Sequence, residues 1–326
     1  MTLRKAVVLG AGGFIGSHLV RRLKKEGYYV IGSDFSLPAY SPSLADVFHQ
    51  GDLRNYDFVN TVIDWNADEV YQLAADMGGA GYIFTGDHDA DVMYNSAQIN
   101  LNVAKVAVEK KVKALFYSSS ACIYPEYNQL DPQSPKCTES SAYPAEPDSE
   151  YGWEKLFSER LFLSFKKNYG LNVKIARYHN VYGPEGAWNN GKEKAPAAIC
   201  RKVAEASAGG EIEIWGDGKQ TRSFLFIEDC LDATIKLTRS EKTGPFNIGS
   251  EEMISINDFA MLIMQIAEKP LKIKNIVGPE GVRGRCSDNK LIKKELDWEP
   301  KFSLKEGIKF TFDWINNEVI KGFPSL

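Results

Sequence analysis

Short apolar runs and stretches of helical spacing alternate along the first half of the chain. Lys5 to Leu9 is a compact apolar run, and Ile15, Leu19 and Leu23, four apart, mark an amphipathic helix from about Phe14 to Lys25. A second run, Tyr28 to Ser33, ends in Asp34. Others fall near Glu69 to Leu73 and Ala114 to Ser118, with helical stretches such as Asn95 to Lys110 between them. Strands that are apolar throughout are buried on both faces, so this rhythm predicts an α/β fold built on a doubly wound parallel sheet. The Pro-rich polar passage 131–150 reads as a surface loop.

The turn after the first strand narrows the picture. Gly10-Ala11-Gly12-Gly13-Phe14-Ile15-Gly16 lies between a strand and a helix, the context a dinucleotide-binding loop requires. Glycines at 10, 13 and 16 permit a tight turn, close backbone approach to a pyrophosphate, and helix–strand contact, while the helix N-terminus offers free N–H groups. Asp34, roughly 20 residues on, can accept hydrogen bonds from an adenosine ribose and would repel a 2′-phosphate, which favours NAD over NADP. The alternative for Asp34 is a strand-ending turn residue; Asp52 follows another short strand and is placed to face the adenine. The expected architecture is thus a Rossmann domain over residues 1–177 and about 224–250. A smaller C-terminal substrate-binding domain takes 178–223 and about 251–326.

Composition removes several other classes. The 326 residues are 44% hydrophobic and 25% charged with a net charge of −4, unlike the basic balance of a nucleic-acid binder. No apolar run approaches the roughly 18 residues of a membrane span, and a cytoplasmic protein is expected. Five scattered cysteines without a CxxC spacing, and four histidines never two or four apart, predict neither a disulfide scaffold nor a metal site.

Candidate chemistry gathers at the carboxyl ends of the strands, where ligands of such sheets sit. There the stretch SSSACIYPE (118–126) places Ser120, Ala121 and Cys122. Tyr151 and Lys155, four apart at the start of a helix to about Lys167, share one face, and a lysine there favours the tyrosinate. Cys122 is open to two readings, a small core hydrophobe or an acid/base group.

With the glycine loop, the serine run, the Tyr151/Lys155 pair, NVYGP (180–184) and WGDGKQTRSFLFIEDC (215–230), the chain resembles the extended short-chain dehydrogenase/reductases nearly end to end. The resemblance implies hydride chemistry on the sugar of a nucleotide sugar. Tyr151 would be the base, Ser120 its hydrogen-bonding partner, and Lys155 the group that holds the nicotinamide ribose. It also adds Phe14, Ile15 and Leu53 to the cofactor contacts. Four segments, AADMGGAGYI (74–83), SSACIYPE (119–126), GKEKAPAAICRK (191–202) and GPEGVRGRCSDNKLI (278–292), are similar to the GDP-mannose 3,5-epimerase branch.

That branch implies conversion of GDP-D-mannose to GDP-L-galactose, with GDP-L-gulose as a second product, by oxidation at carbon 4, epimerisation at carbons 5 and 3, and re-reduction. Cys122 would be the base and Lys194 the matching acid, although the residues alone favour a solvated lysine among the nearby cations Lys192 and Arg201. Arg222, Arg283, Arg285 and Lys202 are candidate diphosphate anchors. The resemblance supports Arg222 and Arg285 most directly, with Asn180, Glu193, Ala195 and Gln220; Gly78 and Gly79 would line the sugar pocket. Helices at 93–110 and 151–168 would pair in a homodimer. The competing readings are a GDP-fucose synthase-like reductase, which has a histidine where Lys194 falls, and a non-catalytic NAD-binding regulator.

Overall fold

The computed structural model describes residues 3–279 and 281–322. The first half runs β1 (Lys5–Leu9), α1 (Phe14–Lys25), β2 (Tyr29–Asp34), β3 (Val47–Gln50), α2 (Tyr56–Val62), β4 (Glu69–Gln72), α3 (Ala80–Ile83), α4 (Asp89–Glu109) and β5 (Leu115–Ser120). It continues through a 3-10 turn (Ala121–Ile123), α5 (Glu150–Tyr169) and β6 (Val173–Tyr178). Beyond these lie β7 (Val181–Tyr182), α6 (Ala195–Glu205), β8 (Glu211–Trp215), β9 (Thr221–Ser223), β10 (Leu225–Phe226), α7 (Ile227–Thr238) and β11 (Phe246–Ile248). The chain ends with β12 (Met253–Ser255), α8 (Ile256–Ile266), β13 (Lys272–Ile276), β14 (Gly284–Arg285), α9 (Lys290–Leu296) and α10 (Leu304–Ile320).

Seven strands form one parallel sheet in the order β11-β6-β5-β4-β1-β2-β3. This is the doubly wound sheet expected from the apolar runs. Its central strands β1, β4 and β5 are buried almost end to end, because helices cover both faces. Val7, Val70, Leu115 and Val103 belong to the core of one face. Val8, Tyr71, Phe116 and Ala176 belong to a larger core that continues into the C-terminal helices. Outside the sheet, β8 pairs with β13, and β9 joins β12 to β14. Helices α6, α8 and α10 pack on one another there.

Helix boundaries follow local chemistry. Ser149 caps α5 by accepting from the Gly152 N–H, and Gly170 closes it in the left-handed conformation at φ 73°. α4 starts earlier than its apolar spacing suggested, with Asp89 and Asp91 in the first turn, where carboxylates favour a helix N-terminus.

The passage 131–150 is a largely solvent-facing loop, as expected, but parts of it turn inward. Cys137 and Ala142 are buried in a small core with Ile123, Tyr124 and Leu156, and the Glu139 carboxylate accepts from the Asn247 N–H. Two of its carboxylates, Glu139 and Asp148, reach inward, to β11 and to the site described below. Among the described residues, no helix is long and apolar enough to cross a membrane.

Beneath the sheet's carboxyl edge lies a buried ion pair. Arg177 donates from Nε and Nη2 to the two Glu159 oxygens at 2.9 and 2.8 Å, and from Nη1 to the Glu139 carbonyl at 2.8 Å. Ser119 donates to the same Glu159. Removing one partner strands a charge in the interior, so Arg177→Met should lower unfolding stability by about 3–5 kcal/mol, read as a shifted urea midpoint.

Candidate active site

The glycine loop is shaped by contacts no side chain could share. Gly10 has φ +87°, and a Cβ on Gly16 would lie 2.0 Å from the Gly10 carbonyl oxygen. A Cβ on Gly13 would meet only that oxygen, at 3.4 Å, so the face above the α1 N-terminus stays open. Gly13 is also the N-cap and carries no side chain to satisfy the first N–H groups of α1. Ile15 packs against the core, while the Phe14 ring sits edge-on to His18 and against Gly183, tying the loop to the NVYGP segment.

Asp34 at the end of β2 accepts from the Gly12 N–H at 3.0 Å and from Ser36 N–H at 3.3 Å. Burial raises its pKa, and the backbone donors oppose that. Asp52 is gripped by Arg54, whose Nε and Nη2 lie 3.0 and 2.9 Å from Oδ2. That hydrogen bonding holds the Asp52 pKa below the ordinary carboxylate range. Leu53 is buried in the core on the α4 side of the sheet.

Beyond β5 the reactive groups converge. Ser120 accepts from the Cys122 N–H at 3.2 Å and hydrogen-bonds Tyr151. Tyr151 belongs to a small apolar cluster with Ile83 and Val92, against which Met77, Tyr82, Phe84 and Cys122 pack. Ala121 is buried beside Ile123. The Lys155 ammonium donates to the Ser118 carbonyl at 3.0 Å and lies 5.5 Å from the centre of the Tyr151 ring. The pKa of Tyr151 moves the opposite way from the expected lysine effect. Burial pushes the phenol up, and it also pulls the Lys155 ammonium down, so the medium outweighs the cation.

Cys122 is not a plain core residue. Its Sγ lies 3.2 Å from Nη1 of Arg285. Burial raises the thiol pKa, while the Arg285 charge pulls it down. Arg285 in turn donates from Nε to Gln129 at 2.6 Å and from Nη2 to Asp148.

The opposite wall carries Lys194, which precedes α6 as its N-cap, with Ala195 as the first helical residue. Lys194 keeps solvent access but is ringed by protein across the cleft; that crowding lowers its pKa, and the field of Cys122 opposes the shift. The Gly78–Gly79 turn rests on this segment, since a Cβ on Gly79 would lie 2.4 Å from the Glu193 carbonyl oxygen. One Glu193 oxygen is held by Arg201 at 3.1 Å, and the other, Oε2, is buried without a partner. Gln220 likewise has Nε2 on the Trp215 carbonyl and a buried, unpartnered Oε1. Asn180, at φ +42°, donates to the Ser223 carbonyl.

Of the proposed anchors, Arg222 neighbours Arg285. Burial and that second guanidinium pull its pKa down to about 9. Arg283 pairs with Asp217 at 3.1 Å near the surface, and Lys202 donates to the Glu213 carbonyl at 2.6 Å. Neither of these two is gathered into the Cys122–Tyr151 cluster. No group of three or more His, Cys, Asp or Glu among the described residues could hold a metal ion.

The profile of the NAD dependent epimerase/dehydratase family matches residues 6–249. The chain belongs to that family. It is 47% identical to GDP-mannose 3,5-epimerase of Arabidopsis thaliana, over 97% of this chain and 83% of the relative. Identity to GDP-L-fucose synthase 1 of the same plant is 28%, over 95% of this chain and 92% of the relative. Among solved structures, UDP-glucuronic acid 4-epimerase from Bacillus cereus, in complex with UDP-glucuronic acid and NAD, superposes with a TM-score of 0.82. It is 26% identical, covering 96% of this chain and 99% of that one.

Within this epimerase/dehydratase architecture, four residues went unnoticed in the sequence. Gly12 gives its N–H to Asp34, and a Cβ there would strike the Ser36 carbonyl oxygen at 1.9 Å. Gly152 lets α5 press on the 3-10 turn, because its Cβ would lie 2.1 Å from the Cys122 carbonyl oxygen. Gln129 and Asp148 hold Arg285 from 156 and 137 residues away. Glycines inside a loop or helix could have flagged the first two; no local signal pointed to the others.

The loop geometry separates folding from cofactor binding. Gly16→Ala should cost about 1–3 kcal/mol of stability through overpacking. Gly13→Ala should keep the wild-type melting temperature but weaken nucleotide binding about tenfold or more, roughly 1.4 kcal/mol or above, by filling the open face. Thermal denaturation and NAD titration of the two variants check this.

Proposed function

We propose that this chain is a GDP-mannose 3,5-epimerase that binds NAD. The observation that carries the reading is the thiol of Cys122, packed in the cluster that holds Tyr151 and 3.2 Å from the Arg285 guanidinium, with Lys194 near enough for its ammonium to feel the sulfur. A 4-epimerase needs only the tyrosine; inverting carbons 5 and 3 needs an acid and a base on opposite faces of the ring. The 47% identity to the plant 3,5-epimerase favours the same substrate, and the 28% identity to the fucose synthase makes a reductase the weaker reading.

The residues suit the cofactor: the open face at Gly13, the uncapped α1 terminus and the Asp34 carboxylate match a dinucleotide's pyrophosphate and ribose. NAD would supply a hydride acceptor for carbon 4, and the same hydride would return there. Tyr151 takes the carbon 4 hydroxyl proton, with Ser120 hydrogen-bonding that oxygen and Lys155 fixing the nicotinamide ribose. The carbon 4 ketone acidifies the neighbouring C–H bonds. Cys122 then removes the carbon 5 proton, Lys194 returns one from the other face, and the exchange repeats at carbon 3 to give GDP-L-galactose. Stopping after carbon 5 gives GDP-L-gulose.

Arg222 anchors the diphosphate, since a guanidinium strained by burial and by Arg285 gains most from an anion. Asn180, Glu193, Ala195, Lys202 and Gln220 surround the nucleotide sugar; the unpartnered Glu193 Oε2 and Gln220 Oε1 are acceptors for its N–H or O–H groups. A cytoplasmic setting suits five free cysteines, including a working thiol.

Two measurements bear on the chemistry. Tyr151→Phe should bind GDP-mannose yet form no 4-keto sugar. In deuterated water the wild type should incorporate deuterium at carbons 5 and 3, and Cys122→Ala should incorporate ~10²- to 10⁴-fold less while folding normally, as NMR of the sugar would report. Assembly is a separate matter. α4 and α5 pack side by side and leave Leu101, Trp153 and Phe157 exposed, which suits a homodimer through these helices. Light scattering should give a dimer for the wild type and a monomer for Phe157→Glu.

A further inference from the structure

Arg285 entered as a diphosphate anchor, but all three of its guanidinium nitrogens are engaged by the protein: Nε by Gln129, Nη2 by Asp148 and Nη1 by the Cys122 thiol. The arginine and Asp148 are each more than nine-tenths buried as side chains. They also come from different parts of the molecule. Arg285 is carried by β14, in register with Arg222 on β9. Asp148 directly precedes the Ser149 cap of α5, the helix that bears Tyr151 and Lys155. A Cβ on Gly284 would collide with the Asp131 carbonyl oxygen at 2.6 Å, so β14 is pressed against the 131–150 passage and the guanidinium has little room to shift. A fork pinned at two corners presents its third nitrogen to a fixed point, and that point is the sulfur.

We infer that Asp148 is a positioning residue for the epimerising thiol: it holds Arg285 on Cys122 and, as the counter-charge, limits how strongly that guanidinium stabilises the thiolate. The consequence is a thiol that burial pushes towards its protonated form and that a carboxylate–guanidinium pair, rather than a neighbouring general base, adjusts in both directions. The arginine eases loss of the thiol proton and the carboxylate opposes that pull, which suits a group that must both take a proton and give it up. The inference rests on Cys122 being the acid/base group proposed above.

The test reads the thiol without substrate, so it stands apart from the test of the reaction. Iodoacetamide alkylation of Cys122 in the purified full-length protein is followed from pH 5 to 10 by peptide mass spectrometry, giving the thiol pKa for each variant. Arg285→Gln removes the cation and should raise that pKa by about one unit or more, slowing alkylation at pH 7 roughly tenfold. Asp148→Asn keeps an acceptor for Nη2 but removes the counter-charge, and should lower the pKa by a similar amount. Arg285→Lys, which keeps the charge, should lie below Arg285→Gln. Should Asp148→Asn fail to fold, Gln129→Glu replaces it: a second carboxylate on the same guanidinium should raise the pKa.

Shifts of opposite sign in Arg285→Gln and Asp148→Asn support the inference. Unchanged values, or shifts of the same sign in those two variants, overturn it and leave Asp148 a purely structural partner. A thiol that behaves as expected in a chain that does not epimerise GDP-mannose would sink the proposed function and leave the positioning role standing.

Discussion

The close approach of α5 to the end of β5 is the constraint on which the rest of the site depends. A backbone without a side chain at Gly152 allows the helix to rest on the Cys122 carbonyl, where any Cβ would come within 2.1 Å of the oxygen. That contact sets Tyr151 and Lys155 against Ser118 and Ser120, and it brings the thiol into the same apolar pocket as the phenol. The energetic cost is several buried polar groups in one place. It is offset from below by the Arg177–Glu159 pair, which binds β6 to α5 and reaches Ser119, and from the side by Asp148, Arg285 and Gln129.

Burial determines the electrostatic character of the cleft. It raises the Tyr151 phenol and the Cys122 thiol and lowers the Lys155 ammonium, and crowding by protein lowers Lys194 although that side chain keeps solvent access, so each group is pushed towards its neutral form. Against that common background, individual charges do the selecting. Arg285 singles out the thiol, and Lys194 feels the sulfur across the cleft. The thiol is shifted up and the Lys194 ammonium down, so the two are moved towards each other in proton affinity. Arg222, whose pKa is pulled down by burial and by the neighbouring Arg285, adds a second guanidinium beside the one that Asp148 neutralises.

The passage 131–150 shows how a polar sequence can mislead. Its prolines and serines describe a loop correctly, yet parts of the loop are folded inward. Cys137 and Ala142 fill a small core, Glu139 caps an N–H of β11, and Asp148 meets Arg285. Glu139 and Asp148 satisfy inward partners while their polar neighbours meet water, and composition cannot distinguish the two.

By itself, the sequence determined much of what depends on near neighbours. The order of strands and helices followed from apolar spacing, because burial on both faces of a parallel sheet leaves a local signature in β1, β4 and β5. The glycine loop, Asp34 and the Tyr151/Lys155 pair were legible for the same reason: each is defined within one turn or one strand–helix unit. Only the tertiary structure decided what the Cys122 thiol touches. Arg285 lies 163 residues away along the chain, and the Asp148 and Gln129 that hold it lie 137 and 156 residues from it. Such contacts arise from how β14 packs against the 131–150 passage and α5. A guanidinium on the surface and one buried against a thiol are the same letter in a sequence, and packing alone tells them apart.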